Sequence, residues 1–234
     1  MAPFGLQGKE IETDVYFYYG LWGMGGDIVK DGKSGLDSQA AIDGAKLYKS
    51  FIDDGLTEPG VTSYAREDVQ NLFKQGKVAT VITAPFLSGQ IKKEAPNLKY
   101  GVAPIPIGPG GKPFTYGVTD SIVLFKNSKV KDEAFKFLDF LFTTEQRTKF
   151  DQVEGFLPVN AKEAQDPFFA NDPDLKVFAS LLPGAHFAPV IPGWEEIAQI
   201  TVTAIQKIYL GKADDIEATL KATAAQANDI LAKK

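Results

Sequence analysis

The sequence contains no cysteine and a single histidine, His186, among its 234 residues. The lack of cysteine excludes disulfides, thiol nucleophiles and thiolate metal sites. One histidine cannot build a histidine-rich metal site, so His186 is interpreted as an ordinary loop residue. A serine triad would need that same histidine, and no G-x-S-x-G elbow surrounds any serine. The sequence therefore predicts neither a metal site nor a cofactor.

Long apolar runs and excess positive charge are also absent. The most hydrophobic stretch, FKFLDFLF, is interrupted by Lys136 and Asp139, which is too polar for a membrane span. The N-terminus lacks the basic-then-apolar layout of a secretion signal, so either the protein is cytoplasmic or a leader has been removed. The formal net charge is −5, without a basic stripe. This balance argues against nucleic acid and anionic membranes as partners.

Phosphate-binding and acid–base motifs are missing as well. Gly110-Gly111-Lys112 is followed by Pro113, where a phosphate-binding loop requires Ser or Thr. Acidic pairs such as Glu195-Glu196 are adjacent in sequence, and neighbours on a helix point roughly 100° apart. Such pairs are poor acid–base partners, and no pair of distant carboxylates stands out. The residues give no specific indication of an enzyme.

Helical and strand patterns alternate along the chain and predict an α/β fold. Helices are predicted from Ser38 to Gly55, over 66–75 and 87–94, from Asp132, after Thr143, near 175–182, and twice at the end of the chain. Strands are predicted over 78–82, 100–106 and 121–125. The first of them, VATVI, has the composition of a strand buried on both faces. It ends before Pro85 and Phe86. The Phe86 ring is expected either to cap the core or to form the wall of a binding cleft.

Aromatic residues are abundant, with 17 Phe, 8 Tyr and 2 Trp, and several lie beside glycine or proline. The stretch DVYFYYGLWGMGGD (14–27) is the densest block. Aromatic planes can pack against the C–H face of a sugar ring, and a few polar groups fix the ligand's orientation. The same side chains are common core fillers, so composition alone leaves both interpretations open.

An ordered set of short motifs resembles a known family. The set comprises Phe73, Gly76, Lys77 and Ala79 before Ala84-Pro85-Phe86, then YGVAPIP (100–106), Tyr116-Gly117-Val118, the helix pattern of 134–141, LPVN (157–160), Ile191-Pro192 and the GGDI run. In this order the motifs resemble the extracellular solute-binding proteins of sugar-import ABC transporters, the maltose-binding protein family. The resemblance covers nearly the whole chain.

The resemblance implies two α/β lobes that close on a saccharide and deliver it to a membrane permease without catalysis. It also implies a periplasmic or extracellular location, with a membrane tether as an option. Two alternatives remain open. One is a binding protein for a non-sugar solute such as a polyamine, iron or a peptide. The other is a fragment of a carbohydrate-active enzyme.

Family members are longer, and the first strands of their N-terminal lobe have no counterpart here. The expected fold is therefore a periplasmic-binding-protein-like C-terminal lobe, with a mixed sheet flanked by helices, plus an incomplete part of the N-terminal lobe. Residues 12–116 and 188–234 are expected to form the C-terminal lobe, and 117–187 the other part. Helices of that part should expose an apolar patch, which would meet the missing lobe or a second copy. Sugar binding by the chain alone should be weak.

The resemblance also implies ligand-binding residues. Tyr16 or Phe17 matches the family's stacking tyrosine, and Phe86 stands where the family has a tryptophan. The remaining implied positions are Trp22, Tyr64, Arg66, Tyr116, Asp120, Trp194 and Glu195.

Overall fold

The computed structural model describes residues 1–233 and consists of two compact units. Unit 1 contains Met1–Thr83, Ile105–Gly117 and the chain from Gly184 onward, and unit 2 contains Ala84–Pro104 and Val118–Pro183. The α-helices of the described residues are α1 (Thr13–Gly23), α2 (Gln39–Asp53), α3 (Arg66–Lys74), α4 (Phe86–Glu94), α5 (Lys131–Leu141), α6 (Thr144–Glu154), α7 (Pro167–Asn171), α8 (Pro173–Leu181), α9 (Trp194–Tyr209) and α10 (Ile216–Leu231). Within residues 1–233, none of these helices combines the length and apolarity needed to cross a membrane.

Three short two-stranded sheets accompany these helices in the described part of the chain. The strands are β1 (Ala2–Gly5), β2 (Val29–Lys30), β3 (Lys33–Ser34), β4 (Val78–Val81), β5 (Thr115–Tyr116) and β6 (Ala185–His186). β1 pairs in parallel with β4, β2 pairs antiparallel with β3, and β5 pairs in parallel with β6. All three sheets belong to unit 1.

Helix α1 forms the centre of unit 1. It is apolar around most of its circumference, so it is buried rather than amphipathic. Its Phe17, Tyr18 and Leu21 side chains have no exposed surface. Because Gly20 of α1 faces Gly44 of α2, the two helix backbones approach closely, and a Cβ atom on Gly44 would lie 2.7 Å from the Gly20 carbonyl carbon. Helices α9 and α10 close the core from the other side.

Most predicted helices are confirmed, because their end signals are local. The Ser38 hydroxyl accepts a hydrogen bond of 3.2 Å from the Ala41 N–H and starts α2. The Thr143 hydroxyl caps α6 by accepting from the Gln146 N–H at 3.4 Å. Gly55, directly beyond the end of α2, has a φ angle of 66°, which glycine adopts readily.

Unit 2 has little buried apolar surface. None of the eleven residues of α5, all of which the structure describes, is buried. The large apolar side chains of the unit that are exposed are Val118, Ile122, Val123, Phe125, Val130, Phe135, Phe137, Phe140, Phe142, Phe150, Val153, Val159, Phe168 and Leu182. The prediction that this part of the chain exposes apolar side chains is thereby confirmed. We call this set the apolar face of unit 2.

Three strand predictions were wrong in whole or in part. The predicted strands over 100–106 and 121–125 are neither strand nor helix in the structure, although the latter is rich in β-branched residues. A strand requires a hydrogen-bonded neighbour, and none of the described strands lies beside these segments. The strand β4 exists, but Ala79 and Thr80 are exposed, so it is not buried on both faces.

Candidate functional site

The indole of Trp22 lies against two rings from distant parts of the chain. The Tyr116 ring stacks on it with centroids 5.7 Å apart and planes 22° apart. The His186 ring stacks on it at 4.8 Å and 24°. The pairing of β5 with β6 places Tyr116 directly opposite His186. We call these three side chains the aromatic cluster.

Further rings extend this cluster within unit 1. Trp22 lies 5.9 Å from the Tyr18 ring, which in turn lies 6.1 Å from the Trp194 ring. Tyr19 contacts Trp22 edge-on at 6.1 Å, and its hydroxyl accepts a hydrogen bond of 3.4 Å from the Tyr116 N–H. Helix α1 therefore supplies the inner rings, while β5, β6 and α9 supply the outer ones.

Three acidic side chains lie close enough to Tyr116 to influence its ionisation. Burial raises the pKa of Tyr116 to about 12, and the charges of Asp14, Glu195 and Glu12 contribute to the increase. Burial also raises the pKa of Asp14 to about 7. Carboxylates near a ring can accept hydrogen bonds from ligand hydroxyls. Within residues 1–233, no three His, Asp or Glu side chains converge as a metal site.

Trp194 and Glu195 begin helix α9. Gly193 precedes them with a φ angle of 79°, and a Cβ atom there would lie 2.4 Å from Ile230 Cγ2. This glycine therefore permits both the turn into α9 and the close contact with α10. Trp194 is half-buried against the core, whereas Glu195 is exposed. The first N–H groups of a helix lack intrahelical partners, so this end can also donate to a ligand.

The two alternative positions for a stacking ring on α1 are both buried. The Tyr16 hydroxyl donates a hydrogen bond of 2.7 Å to the Ile82 carbonyl oxygen, and only 6% of the residue is exposed. Phe17 has no exposed surface. Contact of either ring with a ligand would require the surrounding side chains to move.

Tyr64 lies in the loop that leads into α3, and Arg66 is the first residue of that helix. The Arg66 guanidinium forms an ion pair of 2.6 Å with Glu12 and contacts Glu67 at 2.6 Å. Burial raises the pKa of Glu12, and the Arg66 charge opposes that increase. The carbonyl oxygen of Tyr64 accepts hydrogen bonds from two backbone N–H groups after β1. Arg66 thus positions Glu12, one of the acidic groups near Tyr116.

Phe86 and Asp120 belong to unit 2 and not to the unit that contains the aromatic cluster. Phe86 is half-buried as the first residue of α4, and its ring lies edge-on to Phe156 at 6.5 Å. Asp120 is exposed. Their ligand-binding roles stay predictions.

Reasoning from the sequence missed His186 as a member of the cluster. The available signal was its position beside Phe187 in a segment rich in glycine and proline, LLPGAHFAPVIPG (181–193). Residues Tyr116 and His186 are 70 positions apart, and nothing local indicates that their strands pair.

Known proteins share this architecture. The family model described as bacterial extracellular solute-binding protein matches residues 5–148, which is more than half of the chain. The chain belongs to the bacterial extracellular solute-binding protein family. The α/β fold expected from the resemblance is likewise shown by solved structures. A solute-binding protein of Thermotoga lettingae, bound with α-D-tagatose, has a TM-score of 0.87 and 24% identity. The match covers 99% of this chain and 60% of that one.

Some relatives are more similar to this chain in sequence than that solved structure is. A Brucella abortus (strain 2308) protein named only as a binding protein is 66% identical over 231 residues, which are 98% of this chain and 56% of the relative. A maltooligosaccharide ABC transporter solute-binding lipoprotein of Streptococcus pneumoniae (strain ATCC BAA-255 / R6) is 28% identical over 92% of this chain and 53% of the relative. The chain thus spans about half the length of the curated relatives that it matches.

Proposed function

We propose that the chain is the ligand-binding part of a carbohydrate ABC importer's solute-binding protein. It would hold a mono- or oligosaccharide without catalysis, in the periplasm or outside the cell, and pass it to the importer's membrane permease. The single observation that carries this proposal is the stacking of Tyr116 and His186 on Trp22, beside a group of carboxylates. Flat apolar faces with acidic neighbours suit the C–H face and hydroxyls of a sugar.

Sequence similarity supports a saccharide in particular. The Streptococcus pneumoniae relative is named for maltooligosaccharides, and the Thermotoga lettingae structure holds a monosaccharide. The Brucella abortus relative is named without a ligand, so the particular sugar is open to experiment.

Isothermal titration calorimetry and thermal-shift assays with maltotriose, tagatose, ribitol, spermidine and a tripeptide test the proposal. We expect at least one saccharide to bind, with an affinity weaker than micromolar, because the chain spans about half of its relatives. Chromatography of the recovered sugar should show it unchanged. Binding of only spermidine or the tripeptide would overturn the saccharide proposal, and cleavage of the sugar would overturn the non-catalytic part.

We also propose a partner for the apolar face of unit 2. This many exposed large apolar side chains within one unit is unusual for a folded monomer. Since relatives are nearly twice as long as the matched region, the remaining segment of such a protein is the partner that best suits this face. That segment would be the lobe expected from the resemblance.

Co-expression provides the test. The part of the Brucella abortus relative outside the matched region is produced together with this chain, and the mixture is analysed by size-exclusion chromatography. Co-elution that is lost with Phe135→Ser/Phe137→Ser supports the proposal. Separate elution, or co-elution that survives those substitutions and is lost with the unit 1 variant Leu210→Ser, contradicts it.

A further inference from the structure

We propose that the ligand rests on the outer faces of His186 and Tyr116, with Trp22 as their buried support. This inference depends on the proposed function and assigns a specific contact surface to it. It gives His186, the single histidine of the chain, a role in holding the sugar. The larger ring, Trp22, would then not touch the ligand.

Burial distinguishes the support from the contact surface. Trp22 is only 6% exposed, and four neighbouring rings contact it, those of Tyr18, Tyr19, Tyr116 and His186. By contrast, Tyr116 and His186 are each half-buried. A ring that stacks on a buried indole by one face and is still partly exposed has surface available to a ligand.

The register of β5 and β6 places the two rings side by side. Tyr116 and His186 are paired residues of parallel strands, so their side chains leave the strand pair on the same face. Neighbouring strands are about 4.8 Å apart, which is comparable to the width of one ring. Both rings lie within 24° of the indole plane. Each ring therefore stacks on the indole by one face, and its opposite face is the surface that we assign to the ligand.

Polar groups at the edges of this surface match the hydroxyls of a sugar. The phenol of Tyr116 and the imidazole nitrogens of His186 each can donate or accept a hydrogen bond. Glu195 is exposed and close enough to Tyr116 to influence its hydroxyl. The surface therefore combines apolar ring faces with hydrogen-bonding groups carried by the same two side chains.

The next residue, Phe187, offers a matched control. It is exposed, and it directly follows His186, the last residue of β6. Its ring lies over Gly117, where a Cβ atom would approach Phe187 Cε1 to 2.5 Å. Phe187→Ala therefore removes a neighbouring aromatic ring without changing the proposed contact surface.

The experiment measures maltotriose and tagatose affinity by calorimetry for the wild type, His186→Ala, His186→Phe and Phe187→Ala. We expect His186→Ala to weaken binding about 3- to 10-fold, because the substitution removes one stacking ring from the ligand. His186→Phe should retain most of the affinity, and Phe187→Ala should match the wild type. Thermal unfolding of each variant checks that the fold is preserved.

A second measurement uses the wild type alone. Because the chain has one histidine, its imidazole NMR signals are unambiguous, and saccharide should shift them in proportion to occupancy. Sugar binding with unshifted imidazole signals, or with equal affinity for His186→Ala, would overturn this inference and leave the proposed function intact. Failure of the wild type to bind any saccharide would overturn both.

Discussion

The Tyr16 hydroxyl donates a 2.7 Å hydrogen bond to the Ile82 carbonyl oxygen, which lies just after the last residue of β4. This bond joins α1, the central helix of unit 1, to the point where the strand ends. The chain reaches Pro85 three residues later, and a proline has no N–H group to continue a strand. A side-chain donor thus satisfies a carbonyl group at the strand's end.

Replacing Tyr16 with phenylalanine tests this link. Tyr16→Phe keeps the ring but leaves the half-buried Ile82 carbonyl without this donor, so we expect unfolding to become easier by about 1–2 kcal/mol. Urea denaturation followed by circular dichroism measures the change. An unaltered midpoint would mean that water replaces the hydroxyl without loss.

Glu58 should make stability depend on pH. Its carboxylate oxygens each accept from the Leu6 N–H at 3.2 Å, and burial raises its pKa from 4.5 to about 7. A folded-state pKa above the unfolded value favours the protonated form, so this contribution to stability is present below about pH 4.5 and is lost as the pH rises towards 7. Glu58→Gln should therefore stabilise the protein at pH 8, by about 1–2 kcal/mol.

The comparison requires urea midpoints at pH 4.5 and pH 8 for the wild type, Glu58→Gln and the exposed control Glu154→Gln. The gain in stability from Glu58→Gln at pH 8 should shrink at pH 4.5. At that pH Glu58 of the folded protein is protonated and therefore uncharged, as glutamine is. Glu154→Gln should follow the wild type at both values. An equal effect of Glu58→Gln at the two pH values would contradict the assignment.

Gly44 should not tolerate a methyl group. Replacing glycine with alanine inside a helix usually stabilises the helix by about 1 kcal/mol. At Gly44, however, the new Cβ atom would meet the Gly20 backbone, so we expect a loss of about 1–3 kcal/mol from overpacking. Gly89 of α4 is the matched control, because a Cβ atom there meets no described atom within 4 Å. Gly89→Ala should be neutral or stabilising in thermal unfolding.

The apolar face of unit 2 should cause self-association when nothing covers it. Phe125 is 80% exposed and Phe137 is 59% exposed, so replacing both with serine should change stability by less than about 0.5 kcal/mol. The double variant should sediment as a smaller species than the wild type at high protein concentration. Leu210→Ser, on unit 1, should leave the sedimentation profile unchanged. A wild type that is monomeric throughout the concentration series would contradict this prediction.

The accuracy of the sequence-based predictions depended on how local the determining interactions are. The start of α2 at Ser38 and the start of α6 at Thr143 were predictable, because each cap involves residues three positions apart. The strand expected over 121–125 failed, because its composition favours a strand but no described strand pairs with it. Of the residues predicted to bind ligand, Trp22 and Tyr116 stack directly and Trp194 joins them through Tyr18, whereas His186, which also stacks on Trp22, was not among them. Their ligand-binding roles stay predictions.

The sequence by itself determined the helices, the exposed apolar face and the family, because periodicity, capping residues and ordered motifs are properties of short segments. Only the tertiary structure decided which rings meet. The pairing of Tyr116 with His186 joins strands 70 residues apart, and the burial of Tyr16 and Phe17 follows from the packing of α1 among α2, α9 and α10. Contacts at such separation depend on the whole chain's packing, which no local pattern encodes.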